Sequence, residues 1–278
     1  MRIHQCPKPP TDLLQQRYGS EASPAVIDNP IITALLAHRS VRAYLDRPLP
    51  AGTLETLLAA AQSAATSSNL QAWSLLAVAD PERKARLAAL AGNQAHILQA
   101  PLLLVWLADF SRIRRQADLQ GAELEAVDYL DSFLVASLDA ALAAQNAAVA
   151  AESLGLGTVY IGALRNRLSE VIEELRLPPL VYPVFGLCVG YPDPVHPAAI
   201  KPRLPQELVL HRETYRVSPT EAGSVEGYDR ILADFYRQQG LPSANWSSQA
   251  IERLKKVETL NGREQIGQRL RKQQFELL

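Results

Sequence analysis

His38-Arg39-Ser40-Val41-Arg42 follows directly on the apolar pattern Ile31-Ile32 to Leu35-Leu36, and the rest of the chain is read outward from it. Two guanidinium groups, an imidazole and a hydroxyl fall within this short run. Arginine is a permanently charged planar fork of donors that matches phosphate oxygens, and serine adds a short hydroxyl donor beside it. A helix end that delivers such a cluster suits an anion: Arg39 and Ser40 match a phosphate, and Arg42 offers a fork to a second acceptor. A plain basic helix C-terminus, with its cations opposing the negative end of the dipole, accounts for the same residues. The residues further along the chain decide between the two.

Composition narrows the field. A chain of 278 residues holds one large domain or two at about 150 each. With 47% hydrophobic and 21% charged residues, a globular protein with a sizeable core is expected. The formal net charge of -1 gives no basic field for a nucleic-acid backbone, so no nucleic-acid partner is expected. Cys6 and Cys188 are too few for a disulfide framework or a cysteine zinc site, which fits a reducing, cytoplasmic setting. No stretch approaches about 18 uncharged apolar residues, and Met1-Arg2-Ile3-His4-Gln5 leads into prolines, so neither a membrane span nor a secretory leader is expected.

Residues 1–28 are proline-rich with little periodicity and read as an irregular N-terminal arm. Asn29-Pro30, an N-cap residue before a proline at the first helical position, opens a helix that ends near His38. A second helix runs from Leu54 to about Ser63, and Thr66-Ser67-Ser68-Asn69-Leu70-Gln71 breaks it with hydroxyls and amides. Trp73 to Val78 is a buried strand; Asp80-Pro81 opens a helix closed by Gly92; a helical piece follows over Gln94 to Gln99. Leu102 to Trp106 is a second buried strand, and the charged residues 111–128 read as an irregular, exposed excursion. From Ser132 to Leu154 runs the longest helix, apolar or small on nearly every side apart from Asp139, Gln145, Asn146 and Glu152. Such a helix belongs in a core or an interface. Thr158 to Ile161 is a strand, Asn166 caps a helix to Leu175, and Tyr182 to Val189 is a fourth strand. Helical patterns resume at Tyr228 to Arg237 and from about Ser248. Helices alternating with short buried strands indicate an α/β or α+β domain.

Gly155-Leu156-Gly157 to Gly162 is not a dinucleotide fingerprint: the glycine spacing is wrong, and the run closes a helix and opens a strand. Gly155 is a helix C-cap. Gly162, just past a strand, either makes a turn or lets a flat ligand lie against the backbone. The Thr66 to Gln71 hydroxyls and amides are either a capped loop or donors to the edge of a flat heterocycle. Gln94 and His96 are two polar groups in an apolar helical piece, and Lys201-Pro202-Arg203 is a second basic pair stiffened by proline. His4, His38, His96, His196 and His211 are scattered without metal-ligand spacing, so no metal is expected. There is no nucleophile-elbow serine and no Gly-Lys-Ser/Thr phosphate loop. A borrowed organic cofactor is then the economical source of chemistry.

Taken in order, these stretches resemble the FMN-dependent nitroreductase superfamily, most closely its oxygen-insensitive NADPH nitroreductase and NADPH:FMN flavin reductase branch. The resemblance rests on His38 to Arg42, Gln94 with His96, Ala143-Ala144-Gln145-Asn146 running into Ala151 to Gly157, Tyr160-Ile161-Gly162-Ala163-Leu164-Arg165-Asn166, Phe185 to Gly190, and Lys201-Pro202-Arg203-Leu204-Pro205. It implies an α+β fold, a three-layer α-β-α sandwich with a mainly antiparallel sheet, in a domain-intertwined homodimer with FMN between subunits. It implies an FMN-binding core over 29–205 and a C-terminal helical extension over 206–278. Carried over by position, Arg39 and Ser40 with Lys201 and Arg203 grip the FMN phosphate, with His38 in the same cluster. Arg42 faces the N1/O2 edge, where positive charge tunes the ring. Thr66, Ser67 and Gln94 contact the ribityl chain or ring, and Tyr160, Ile161, Gly162 and Ala163 pass backbone groups by N5. Arg165 serves the nicotinamide donor. No side chain acts as nucleophile: the implied activity is ping-pong hydride transfer from NAD(P)H to nitroaromatics, quinones or free flavin. A flavin-storage protein or a reductive dehalogenase of the same fold are the alternatives.

Two departures from the family pattern stand out. Position 163 is Ala where relatives commonly carry a second glycine. The loop that holds basic residues for the NADPH phosphate in relatives corresponds to Gly240-Leu241-Pro242-Ser243-Ala244-Asn245, which has no Lys or Arg.

Overall fold

The computed structural model describes residues 10–19 and 26–278. Its first elements are α1 (Pro10–Tyr18), α2 (Pro30–Leu36), α3 (Thr53–Gln62), β1 (Trp73–Val78), α4 (Pro81–Leu90), α5 (Ala95–Gln99) and β2 (Leu102–Asp109). Next come α6 (Ser111–Gln120), α7 (Leu130–Ser153), β3 (Gly157–Ile161), α8 (Leu168–Leu175) and β4 (Val181–Gly190). The chain ends with α9 (Glu221–Gln238), α10 (Trp246–Leu254) and α11 (Ile266–Lys272). These elements fall into two compact units, Met1–Arg39 with Ala198–Thr259 and Ser40–Pro197 with Leu260–Leu278.

The larger unit is built on β2. All eight of its residues are buried, which requires cover on both faces of the sheet. The strand order is β1-β2-β4-β3 and every pairing is antiparallel. Leu102, Leu104 and Trp106 point to one face with Leu187 and Val189 of β4, against Leu57 and Ala61 of α3 and the alanines 143, 144, 147 and 151 of α7. Leu103 and Val105 are fully buried and, by the pleat, point to the other face, where α8 packs on β4. The result is the expected α-β-α layering. Alanine lets α7 lie close to its neighbours, and Asn146 Nδ2 donates to the Ala60 carbonyl at 3.2 Å, tying α7 to α3.

Among the described residues α7 is the one helix long and apolar enough to cross a membrane by length and composition. Its alanine face is committed to the core of this unit, and Asp139 is buried within it at 2% exposure. The helix closes as expected: Gly155 takes φ +77° and the Leu156 amide reaches back to the Ala151 carbonyl at 3.0 Å.

In the smaller unit Tyr228 and Leu232 of α9 are buried, and the Trp246 ring meets Tyr228 edge-on with centroids 6.2 Å apart. Tyr228 Oη donates to the Pro202 carbonyl at 3.1 Å, fixing the Lys201-Pro202-Arg203 segment.

Three expectations need correction. The arm over 1–28 is not irregular throughout: Pro10–Tyr18 is helical, with Leu13, Leu14 and Arg17 buried, while its remainder at 1–9 and 20–25 lies outside the described residues. The excursion at 111–128 is mostly α6 followed by a 3-10 turn at Glu125–Asp128. Asp109 Oδ1 accepts from both the amide (2.8 Å) and hydroxyl (2.6 Å) of Ser111, and Gly121 at φ +64° stops the helix. Asn166 does not cap α8. It ends the 3-10 turn Gly162–Arg165, and its Oδ1 accepts from Arg263 Nε at 2.8 Å.

Candidate functional site

In the smaller unit Arg17 gathers the two basic stretches. It is 6% exposed; Nη2 donates to the Leu36 carbonyl (2.8 Å) and the His38 carbonyl (3.0 Å), and Nη1 donates to the Lys201 carbonyl (2.9 Å). The Arg203 amide returns a bond to the Arg17 carbonyl at 2.8 Å. One buried guanidinium thus anchors the backbone of both segments, while the side chains of Arg39, Lys201 and Arg203 remain exposed. Arg39 Nη1 donates to the Ala37 carbonyl at 3.1 Å and Arg203 Nη1 to the Pro202 carbonyl at 3.3 Å. Each guanidinium keeps most of its donors for an anion. The Lys201 amine donates to Tyr236 Oη at 2.9 Å. Lys201 and Arg203 both line a cavity of about 760 Å³ floored by Tyr228, Tyr236 and Trp246. Arg17 sits in the stretch read as an irregular arm, so nothing in the sequence marked it.

In the larger unit β3 is the edge strand, and the chain after Arg39 runs along its open side. Ser40 bridges Thr158 in parallel, and the Val41 amide donates to the Thr158 carbonyl at 2.9 Å. Gly157 makes this approach possible, since a Cβ there would lie 2.6 Å from Val41 Cγ2. Arg42 is exposed, and its guanidinium makes no hydrogen bond to a described residue. Close to it stands His96 of α5, half-buried; burial first, and then the Arg42 charge, hold its imidazole below the usual value. Gln94 is the half-buried N-cap residue of α5, its side chain uninvolved in capping. The far end of α5 is held by Lys84, whose buried amine donates to the Ala100 carbonyl (2.6 Å) and the Leu98 carbonyl (3.3 Å). Burial holds the Lys84 amine below its ordinary value.

Tyr160 turns out to be structural in its side chain: Oη donates to Gln145 Oε1 at 3.3 Å and the ring meets Phe185 edge-on at 5.1 Å. Its neighbours Ile161 and Ala163 are buried. Gly162 leaves open space: a Cβ there would meet only Arg165 Nη2, at 3.5 Å. Arg165 itself is partly committed, with Nη1 donating to the Val184 carbonyl at 2.6 Å. The Thr66 hydroxyl spends its proton on Asp139 Oδ2 (2.7 Å) and accepts from the Gln71 amide (3.0 Å). Ser67 beside it is exposed. Among the described residues no cluster of three or more His, Cys, Asp or Glu is placed to hold a metal ion.

Residues 35–191 match the nitroreductase family, and residues 201–278 match that family's C-terminal domain. The chain belongs to the nitroreductase family. It is 41% identical over 231 residues to an FMN reductase (NADPH) of Bacillus subtilis, a match covering 82% of this chain and 92% of that protein. An NAD(P)H FMN reductase of the same organism is 42% identical over 222 residues, covering 79% of this chain and 88% of the relative. The solved NfrA1 nitroreductase from B. subtilis superposes with a TM-score of 0.83 at 38% identity, covering 88% of this chain and 99% of that one. Taken unit by unit, the residues present suit parts of FMN: in the smaller unit the exposed Arg39 and Arg203 suit a phosphate, and in the larger Arg42 makes no hydrogen bond to a described residue and Gly162 leaves open space.

Proposed function

We propose that this protein is an FMN-dependent NAD(P)H oxidoreductase that reduces nitroaromatics, quinones or free flavin in ping-pong turnover. The observation that carries the reading is Arg17, which ties the backbone behind His38-Arg39 to the backbone behind Lys201-Pro202-Arg203 and leaves two guanidinium forks pointing outward. The identity to two FMN reductases over about four-fifths of the chain supports it. When bound, FMN supplies the two-electron relay between nicotinamide and acceptor. Arg39, Ser40 and Arg203, with His38 near them, hold the phosphate; Lys201 contributes once its amine leaves Tyr236. Arg42, exposed, would supply positive charge to the ring edge and so favour electron gain there. Ser67 and Gln94 orient the ribityl chain or ring, while Thr66 keeps the loop in shape. The backbone from Tyr160 to Ala163 would border the ring, with Gly162 leaving room, and Arg165 would offer its remaining donors to the nicotinamide side. The acting species is a soluble, cytoplasmic homodimer, with residues 29–205 as the flavin-binding core, 206–278 as a C-terminal extension and Arg17 of the N-terminal stretch bracing the basic segments.

Purified protein is expected to be yellow and to bleach when NAD(P)H is added without oxygen. A colourless preparation that gains no flavin absorbance on incubation with FMN defeats the reading. Bound FMN that NAD(P)H reduces negligibly in stopped flow favours flavin storage instead.

A further inference from the structure

The loop between α3 and β1 has an unusual backbone. Ser68, Asn69 and Gln71 all take left-handed φ, at 49°, 54° and 48°, and none is glycine. Such conformations persist only when their surroundings dictate them. Three donors from this loop and its exit converge on one carboxylate. The Thr66 hydroxyl donates to Asp139 Oδ2 at 2.7 Å, the Ser67 amide to Oδ1 at 3.0 Å, and the Ala72 amide to Oδ2 at 3.3 Å. Asp139 lies on α7 at 2% exposure, between Ala136, Ala140 and Ala143, which are fully buried. Packing alone asks for another alanine at this position, since a buried carboxylate carries a desolvation cost that only its donors offset. Among the described residues no Lys or Arg forms an ion pair with it. Its charge is met by the loop.

We propose that Asp139 is a positioning residue for the flavin site: from inside the core it locks residues 66–72 so that Ser67 is presented outward in one orientation. The proposal rests on the flavin reading above for what Ser67 contacts, but not for the lock itself. Thr66 relays the hold, because its hydroxyl donates to Asp139 and accepts from the Gln71 amide at 3.0 Å. On the exposed side Gln71 Nε2 donates to Asn69 Oδ1 at 3.2 Å and the Gln71 carbonyl accepts from Arg112 Nη1 at 3.3 Å, while Ser67 stays exposed.

The test uses Asp139→Asn, which keeps shape but turns one acceptor into a donor, and Thr66→Val, which removes only the relay. Amide hydrogen exchange is first followed in flavin-free protein. In Asp139→Asn, exchange is expected to quicken at least tenfold at Ser67 or Ala72, whichever amide loses its acceptor oxygen, while the central sheet stays protected. In Thr66→Val the same holds at Gln71. FMN binding is then measured by titration: at least tenfold weaker for each variant, with a shifted visible band for the flavin that does bind. Unchanged exchange at these amides overturns the lock. Faster exchange with wild-type FMN affinity and spectrum overturns the link to the flavin. Should Asp139→Asn fail to fold, Thr66→Val decides alone by the same two readouts. If the wild type takes up no FMN, the functional reading fails visibly and separately, and the exchange data still judge the lock.

Discussion

Arg39 and Arg203 divide their donors between the protein and solvent, each spending one guanidinium nitrogen on nearby carbonyls. A phosphate seated on the remaining donors forms charge-assisted bonds contributing about 1.5–3 kcal/mol apiece. Arg39→Ala and Arg203→Ala are therefore each expected to weaken FMN binding by roughly tenfold to a hundredfold, conversions that follow from 1.4 kcal/mol per decade. Equilibrium dialysis with absorbance at the flavin band checks this, and undiminished occupancy in either variant argues against the assignment. His96 gives a pH test at the same scale. Its pKa is lowered by burial and by Arg42, so the native imidazole is neutral near pH 7. Between about 6.5, the ordinary value, and its lower native value the unfolded chain binds the proton and the native one does not. Stability therefore rises with pH across that window, and is lost as pH falls from about 6.5 towards the native value. The urea midpoint of the wild type is expected to drop more steeply from pH 7.5 to 5 than that of His96→Gln. Parallel profiles count against a buried neutral His96.

At the scale of elements, what was legible is what writes itself in local rules. Asn29-Pro30 and Asp80-Pro81 announce α2 and α4, and both side chains accept the amides expected of an N-cap, Ile31 and Ile32 in one case and Arg83 in the other. β1 spans the six residues its apolar run marks, and β2 extends past Trp106 to Asp109. The helices that escaped notice hide few apolar residues. In α6 only Ser111 and Ala117 are buried, so there is no stripe to find, and its signal is the pair of stops Asp109 and Gly121. In α1 the buried Leu13, Leu14 and Arg17 are too few to set a period, yet Arg17 organises the basic cluster. The roles of Arg17, Asp139 and Lys84 depend on which distant carbonyls or amides the fold brings to them, which no local pattern contains. The loop before α10 was readable in a different sense, by what it lacks. Gly240 to Asn245 has no basic residue, and Asn245 is spent capping α10 through its bond from the Ser248 amide at 2.9 Å. With no cation there to reward a 2′-phosphate, kcat/KM for NADH and NADPH is expected to agree within a few-fold. Steady-state kinetics with both donors measures it, and a preference for NADPH beyond about tenfold, worth 1.4 kcal/mol, means that a cation elsewhere in the molecule reads the phosphate.

For the molecule as a whole, the surface of α7 sets the problem. Its alanine face is buried, but Leu130, Leu134, Leu138 and Leu142 recur every fourth residue on the other side and stay between 47% and 61% exposed. A four-residue spacing puts them in one stripe along the helix. Leaving each half in water forgoes roughly 1 kcal/mol, and a run of apolar residues on one face marks an interaction surface. In the proposed homodimer a second copy of the chain would cover that stripe, and a flavin held between subunits would tie cofactor retention to assembly. Leu138→Glu combined with Leu142→Glu adds charge where the single chain already tolerates water, so the fold is expected to survive with unchanged far-UV circular dichroism. Light scattering behind size exclusion is expected to show a dimer for the wild type and a monomer for the double variant at micromolar concentration. The same fractions should lose flavin absorbance in step with dissociation. A wild type that elutes as a monomer, or a double variant that stays dimeric with its flavin in place, removes α7 from the interface and leaves its leucine stripe to some other partner.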